Sequence, residues 1–156
     1  MRDTFWTRGG IWVLGQFAVF GIVGASPFIA PEGYPWPFKF HQVVGSAFAV
    51  GGLVLLALAA TSLGKSLTPL PKPATTSELC TSGIYGFVRH PIYLGLLLVI
   101  FGYCLFLPSM LELVVVVLAT LFFDRKAARE ELWLRDQYPA YEHYAKRTRR
   151  LIPWLY

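Results

Sequence analysis

The sequence predicts an all-α integral membrane protein, one domain over residues 1–156, with about four transmembrane helices, a short C-terminal hairpin and a cytosolic tail. Three observations carry this. The chain is 55% hydrophobic and 15% charged, whereas soluble domains carry about 25% charged residues. Its mean hydropathy is +0.51. The apolar residues come in blocks: Asp, Glu, Lys and Arg are absent from Gly9 to Ala30, from His41 to Gly64 and from His90 to Leu111. Uncharged blocks of this length read as membrane spans.

The first span covers about residues 11–30, with Pro27 placed to kink or end it. Arg2 and Arg8 before an apolar stretch ending near Ala25–Ser26 also fit a cleaved signal peptide. That reading is set aside because further spans follow rather than a secreted domain. Pro31 to Phe40, with Pro31, Pro35, Pro37, Tyr34 and Trp36, reads as an interfacial loop with aromatic anchors. The second span, 43–63, is long and uncharged, and Gly51–Gly52 inside it predicts close helix contact.

Residues 64–91 form the longest polar connection, and Pro69, Pro71 and Pro73 predict an irregular loop. Spans three (92–107) and four (111–123) form a hairpin turning at Pro108–Ser109. Arms of roughly 16 residues reach about 24 Å, short of a hydrocarbon core of about 30 Å. A recess is therefore expected at the hairpin's cytoplasmic end. Glu112 falls at the start of span four, where Ser109-Met110-Leu111-Glu112 fits a capping box and favours a structural over a functional carboxylate. The tail, 124–156, reads as a separate helix from Asp124 to Lys146, broken or restarted at Pro139, with Ala127, Glu130, Glu131 and Leu134 around one side. Leu151 to Tyr156 reads as an interfacial end.

The net charge of +5 invites a nucleic-acid reading, but eight of the 14 Lys and Arg lie between Arg125 and Arg150, mixed with acids. A basic tail beside membrane spans reads instead as cytoplasmic charge bias and attraction to membrane lipids, with no nucleic-acid partner. Four spans put both termini on one side, together with Arg2, Arg8, Lys65, Lys72, Arg89 and the tail. Only Lys39 falls opposite, so that side is the cytoplasm. Cys80 and Cys104 lie in a loop and a span, which predicts no disulfide and no metal set.

Gly64-Lys65-Ser66 resembles the end of a phosphate-binding loop, but the pattern needs glycine at position 59, where Ala59 stands. The stretch Gly83 to Gly95, GIYGFVRHPIYLG, is more informative. Pro91 at a first helical turn is favoured and Arg89 can anchor at the interface. Neither fact explains His90, or why Tyr85 and Tyr93 bracket the tripeptide. A helix start with free backbone N–H groups beside a cation makes an anion site, and tyrosine faces stabilise a cation. Glu130 and Glu131, brought near by the hairpin, can take an amine or a pair of ribose hydroxyls.

Leu63 to Pro71 (LGKSLTPLP), Leu79 to Gly95 (LCTSGIYGFVRHPIYLG) and Arg129 to Pro153 (REELWLRDQYPAYEHYAKRTRRLIP) together resemble the isoprenylcysteine carboxyl methyltransferase family and its phospholipid N-methyltransferase relatives. The likeness covers roughly the C-terminal two-thirds. It implies a membrane-embedded enzyme using S-adenosylmethionine, with the loop before the R-H-P helix and the tail closing over the cofactor, and a lipophilic or lipid-linked substrate entering from the bilayer. By resemblance Tyr85, Arg89, His90, Pro91, Tyr93 and Gly95 match the cofactor motif, and Glu130 and Glu131 the family's Glu-Glu pair. Tyr141, Tyr144, Arg147 and Arg150 match its tail, with Tyr144 placed at the cofactor. Arg89, His90 and Glu131 are the expected catalytic residues, and no metal is implied. The favoured acceptor is a carboxylate such as that of a prenylated cysteine or a similar small apolar substrate, with a lipid amine or a small apolar thiol as alternatives; an amine would need deprotonation, with His90 as the base.

Two other readings compete with this one. Steroid-reductase-like membrane enzymes using NADPH share R-H-P-x-Y-x-G but read Asn and Glu where this chain has Ile92 and Leu96. A non-catalytic membrane protein that kept the fold is countered by the intact Arg89, His90, Glu130 and Glu131.

Overall fold

In a computed structural model, residues 4–29, 39–73, 77–107 and 109–153 are described. The expected loop from Pro31 to Phe40 as far as residue 38, the hairpin tip at Pro108 and the end beyond 153 lie outside them. The described residues form five α-helices: α1 (Gly10–Ile29), α2 (Phe40–Leu63), α3 (Pro91–Cys104), α4 (Met110–Gln137) and α5 (Tyr141–Arg147). Among the described residues the regular structure is all helical, apart from one isolated parallel bridge, Val88 to Arg149.

Two helices, α1 and α2, are long and apolar enough to cross a membrane, and only 11% and 17% of their apolar windows are buried. A core helix of a soluble protein would hide most of that surface. Here Ile11, Phe17, Ile22, Val43, Leu53 and Leu58 stand exposed, which suits hydrocarbon as the surrounding solvent. α1 runs through Pro27 to Ile29 instead of stopping there. The hairpin is less regular than the expected spans. α3 is apolar but ends at Cys104, three residues before the expected limit, and has 14 residues, about 21 Å of rise.

α4 corrects the sequence reading. Span four and the expected tail helix are one unbroken helix of 28 residues. The predicted boundary at Asp124 followed the change from apolar to charged residues. Helix hydrogen bonds are local, however, and Arg125-Lys126-Ala127-Ala128-Arg129-Glu130-Glu131-Leu132 contains only good helix formers, so nothing ends the helix until Tyr138 and Pro139. The restart comes at Tyr141.

Ser109 caps α4 as expected, its Oγ accepting from the Glu112 amide at 3.2 Å. The return half of the capping box is missing: the Glu112 carboxylate is buried, and neither oxygen has a hydrogen-bond partner among the described residues.

α2 and α3 touch backbone to backbone. A Cβ on Gly45 would stand 2.7 Å from the Gly102 carbonyl oxygen, and one on Gly52 would stand 2.6 Å from that of Gly95. Gly51, also expected in the seam, faces open space. Small residues allow such approach where helix association relies on packing rather than on expulsion of water. Gly52→Val should therefore force the pair apart, a cost of about 1–3 kcal/mol for overpacking. The expected reading is a lowered thermal midpoint in detergent, with Gly51→Val close to unchanged as the control.

The core lies between α3 and α4, from Tyr93, Ile100 and Cys104 across to Val115, Ala119, Phe123 and Ala127, with Leu151 joining from the chain's last described segment. Val19, Phe20 and Val23 of α1 pack onto it.

Candidate active site

The segment before α3 is shaped by glycine and proline. Gly83 has φ +59°, a left-handed conformation that glycine adopts without strain, and it opens a short 3-10 turn over Gly83–Gly86. Val88 then runs parallel to Arg149, and Pro91 takes the first position of α3. The amides of Arg89 and His90 donate to the carbonyls of Arg149 (2.8 Å) and Arg150 (3.1 Å). The expected anion site built on free N–H groups is thus corrected at these two residues, because the C-terminal segment already occupies them.

The guanidinium of Arg89 is similarly engaged. Its Nε donates to Glu131 Oε1 at 2.8 Å, and its Nη1 to the carbonyls of Ala145 (2.9 Å) and Thr148 (2.5 Å). These carbonyls end α5, where a cation is favoured by the helix dipole. Glu131 is 0% exposed and gathers more than Arg89. Arg150 donates to both its oxygens at 3.2 Å and also to Asp124 at 3.3 Å. Arg135 lies 3.7 Å away, and His90 Nε2 lies 3.4 Å from Oε1, off the hydrogen-bonding direction. Burial alone would raise the Glu131 pKa, but His90, Arg150 and Arg89 outweigh it and hold the carboxyl well below its ordinary range.

Glu130, one residue earlier, points elsewhere. Adjacent helix residues differ by about 100° in direction, so the two acids cannot share a surface. Glu130 Oε2 accepts from the Tyr93 hydroxyl at 2.6 Å and lies 3.7 Å from His90 Nδ1. The His90 and Tyr93 rings are stacked, 5.4 Å between centroids and 3° apart in plane.

These groups face a cavity of about 400 Å³, within the range of small-molecule sites. Tyr85, Arg89, His90, Tyr93, Glu130 and Tyr144 line it, together with Tyr138 and Tyr141. The loop after α2 lines it too, with Leu67, Pro69, Leu70, Pro71 and Leu79 beside the polar Ser66, Thr68, Ser77 and Glu78. Two tyrosines staple that loop down: Tyr138 donates to the Ser77 carbonyl and Tyr144 to the Tyr85 carbonyl, each at 2.7 Å. Burial pushes the Tyr85, Tyr141 and Tyr144 phenols upward, so they stay protonated at neutral pH.

A sequence model of the family described as phospholipid methyltransferase matches residues 40–141. The chain belongs to that family. The probable protein-S-isoprenylcysteine O-methyltransferases of Oryza sativa, subspecies indica and japonica, are each 30% identical to it over 122 residues, 76% of this chain and 64% of theirs. The protein-S-isoprenylcysteine O-methyltransferase of Schizosaccharomyces pombe is 28% identical over 122 residues, 52% of its length. The chain thus spans less than two thirds of the length of these relatives. The resemblance drawn from R-H-P and the Glu-Glu pair is borne out at the level of family.

Within this phospholipid methyltransferase family member, not every residue named from the motif reaches the cavity. Pro91, Gly95 and Glu131 do not line it. Pro91 starts α3, and Gly95 lies in the α2–α3 seam, where an added Cβ would meet Leu56 at 2.8 Å. Glu131 stands behind the wall. Sequence reasoning missed Gln16 and Lys126, which do line the cavity. A lysine three residues past the expected end of span four was the available signal for Lys126; nothing in the first span marked Gln16.

Proposed function

We propose that the chain transfers a methyl group from S-adenosylmethionine to a lipophilic acceptor, most simply a carboxylate such as that of a prenylated cysteine. In the accompanying topology four helical segments enter the membrane and both termini face the cytoplasm. The observation that carries the reading is the mixed cavity: acid, imidazole and phenols line it beside leucines and prolines, at the end of apolar helices. The donor set fits the cofactor's charges. Glu130 keeps a partly exposed carboxylate whose hydrogen bond is to Tyr93, leaving acceptor capacity for an ammonium or ribose hydroxyls. The Tyr85 and Tyr93 rings suit a sulfonium.

S-adenosylmethionine supplies an activated methyl group, so the chain's own task is to orient and desolvate. The loop residues Leu67–Pro71, Pro73 and Ser77–Cys80 exclude water from part of the cavity. The arginines around Glu131 hold α3, α4 and α5 in one arrangement, which fixes His90 and Glu130. A carboxylate acceptor, with a pKa of about 4, needs no base, so His90 acts by position. Detergent-purified protein titrated separately with S-adenosylmethionine and NADPH should bind the first and not the second, and should pass a radiolabelled methyl group into a prenylated cysteine acid. Binding of NADPH alone would replace this reading with a reductase.

A further inference from the structure

A lysine is buried at the junction of three helices, where sequence reasoning saw none. Lys126 is 1% exposed and lines the cavity. Its only hydrogen bond among the described residues is to Gln16 Oε1 of α1, at 2.5 Å. Its Nζ lies 5.0 Å from the centre of the Tyr93 ring. An ammonium has three N–H donors, so two remain without an acceptor among the described residues, and no described carboxylate forms an ion pair with it.

Burying a cation this way is unfavourable unless something anionic completes it. Glu130, one helical turn on, lies near enough to act through its charge, yet burial dominates and pulls the Lys126 ammonium down to about 8. Arg89, the other Lys or Arg on the described lining, has its Nε and Nη1 engaged by Glu131 and the end of α5. Gln16 also lines the cavity. With its amide oxygen accepting from Lys126, its amide nitrogen is left as a donor. An ammonium beside an amide N–H₂ offers two donors to the two oxygens of one carboxylate.

We propose that Lys126, held by Gln16, is the carboxylate-binding cation of this cavity. The assignment rests on the methyltransferase reading, under which both the cofactor and the favoured acceptor carry a carboxylate.

The test uses the full chain in detergent, with Lys126→Met, which keeps the apolar stem and removes the charge. Affinity is measured for S-adenosylmethionine and for 5′-methylthioadenosine, which lacks the carboxylate, and KM for a prenylated cysteine acid. If the cofactor supplies the carboxylate, S-adenosylmethionine binding weakens about 10- to 100-fold, the range of a charge-assisted hydrogen bond, while methylthioadenosine binding is unchanged. If the acceptor supplies it, cofactor affinity holds and the acid's KM rises about tenfold or more. Gln16→Leu, which leaves the charge but removes its tether, should weaken the same ligand several-fold and serves if Lys126→Met does not fold. Unchanged values in a folded variant overturn the proposal and reduce Lys126 to a helix tie. If the unsubstituted chain binds no S-adenosylmethionine, the methyltransferase reading fails first and takes the proposal with it.

Discussion

Glu131→Leu is expected to abolish methyl transfer, by at least 100-fold, through loss of structure rather than loss of a contact to substrate. The substitution leaves Arg89 and Arg150 facing an apolar side chain in a site where Glu131 was 0% exposed. Removing one partner of a buried ion pair costs about 3–5 kcal/mol, a large part of a typical domain's 5–15 kcal/mol. What fails is the clasp of the C-terminal segment, because Arg89 ties α3 to Glu131 of α4 and to the carbonyls ending α5. Limited proteolysis should show early cleavage within 138–150 while the apolar helices stay protected. The same pairing has an acid limit. Glu131 is depressed from an ordinary value of 4.5, so its contribution is fully present above about that pH and disappears as pH falls through the lower folded value. The clasp should therefore hold at pH 5 and open only in stronger acid. Full activity in Glu131→Leu, or clasp opening near pH 6, would overturn this account.

Glu130→Gln should have the opposite profile. Its carboxylate faces the cavity and stands outside the arginine cluster, so the thermal midpoint should move little. The amide keeps the size and a hydrogen bond to Tyr93 but loses the charge. Cofactor affinity should fall about 10- to 100-fold, as for loss of a hydrogen bond to a charged group. Isothermal titration of the purified variant reads this directly. A variant that binds normally but unfolds early would mean that the two glutamates had been assigned to each other's roles.

That division shows what the sequence could and could not convey. The Glu-Glu pair marked the site, but which acid faces the cavity depends on the rotation of α4. That rotation is set upstream, by Val115, Ala119 and Phe123 packing on α3, and was hidden by the expected break at Asp124. The first two spans were legible because length and lack of charge suffice to define them. Gly95 carried a motif position yet serves the helix seam, an ambiguity inherent in glycine, whose lack of a side chain suits either ligand or helix. Gln16 and Lys126 lie 110 residues apart in the chain; neither has a spacing pattern, and only the fold brings them together. Arg150 was matched as a side chain, whereas its backbone carbonyl and that of Arg149 also matter, which no residue type could reveal.

The pairing of Phe87–His90 with Arg149–Arg150 also sets a timetable. Every helix that enters the membrane, and both glutamates, precede residue 138 in the order of synthesis. The segment that locks Arg89 and His90 emerges from the ribosome after all of them. The membrane-embedded part can thus be complete while the cavity still lacks one side, and the site becomes whole only once residue 150 has been made.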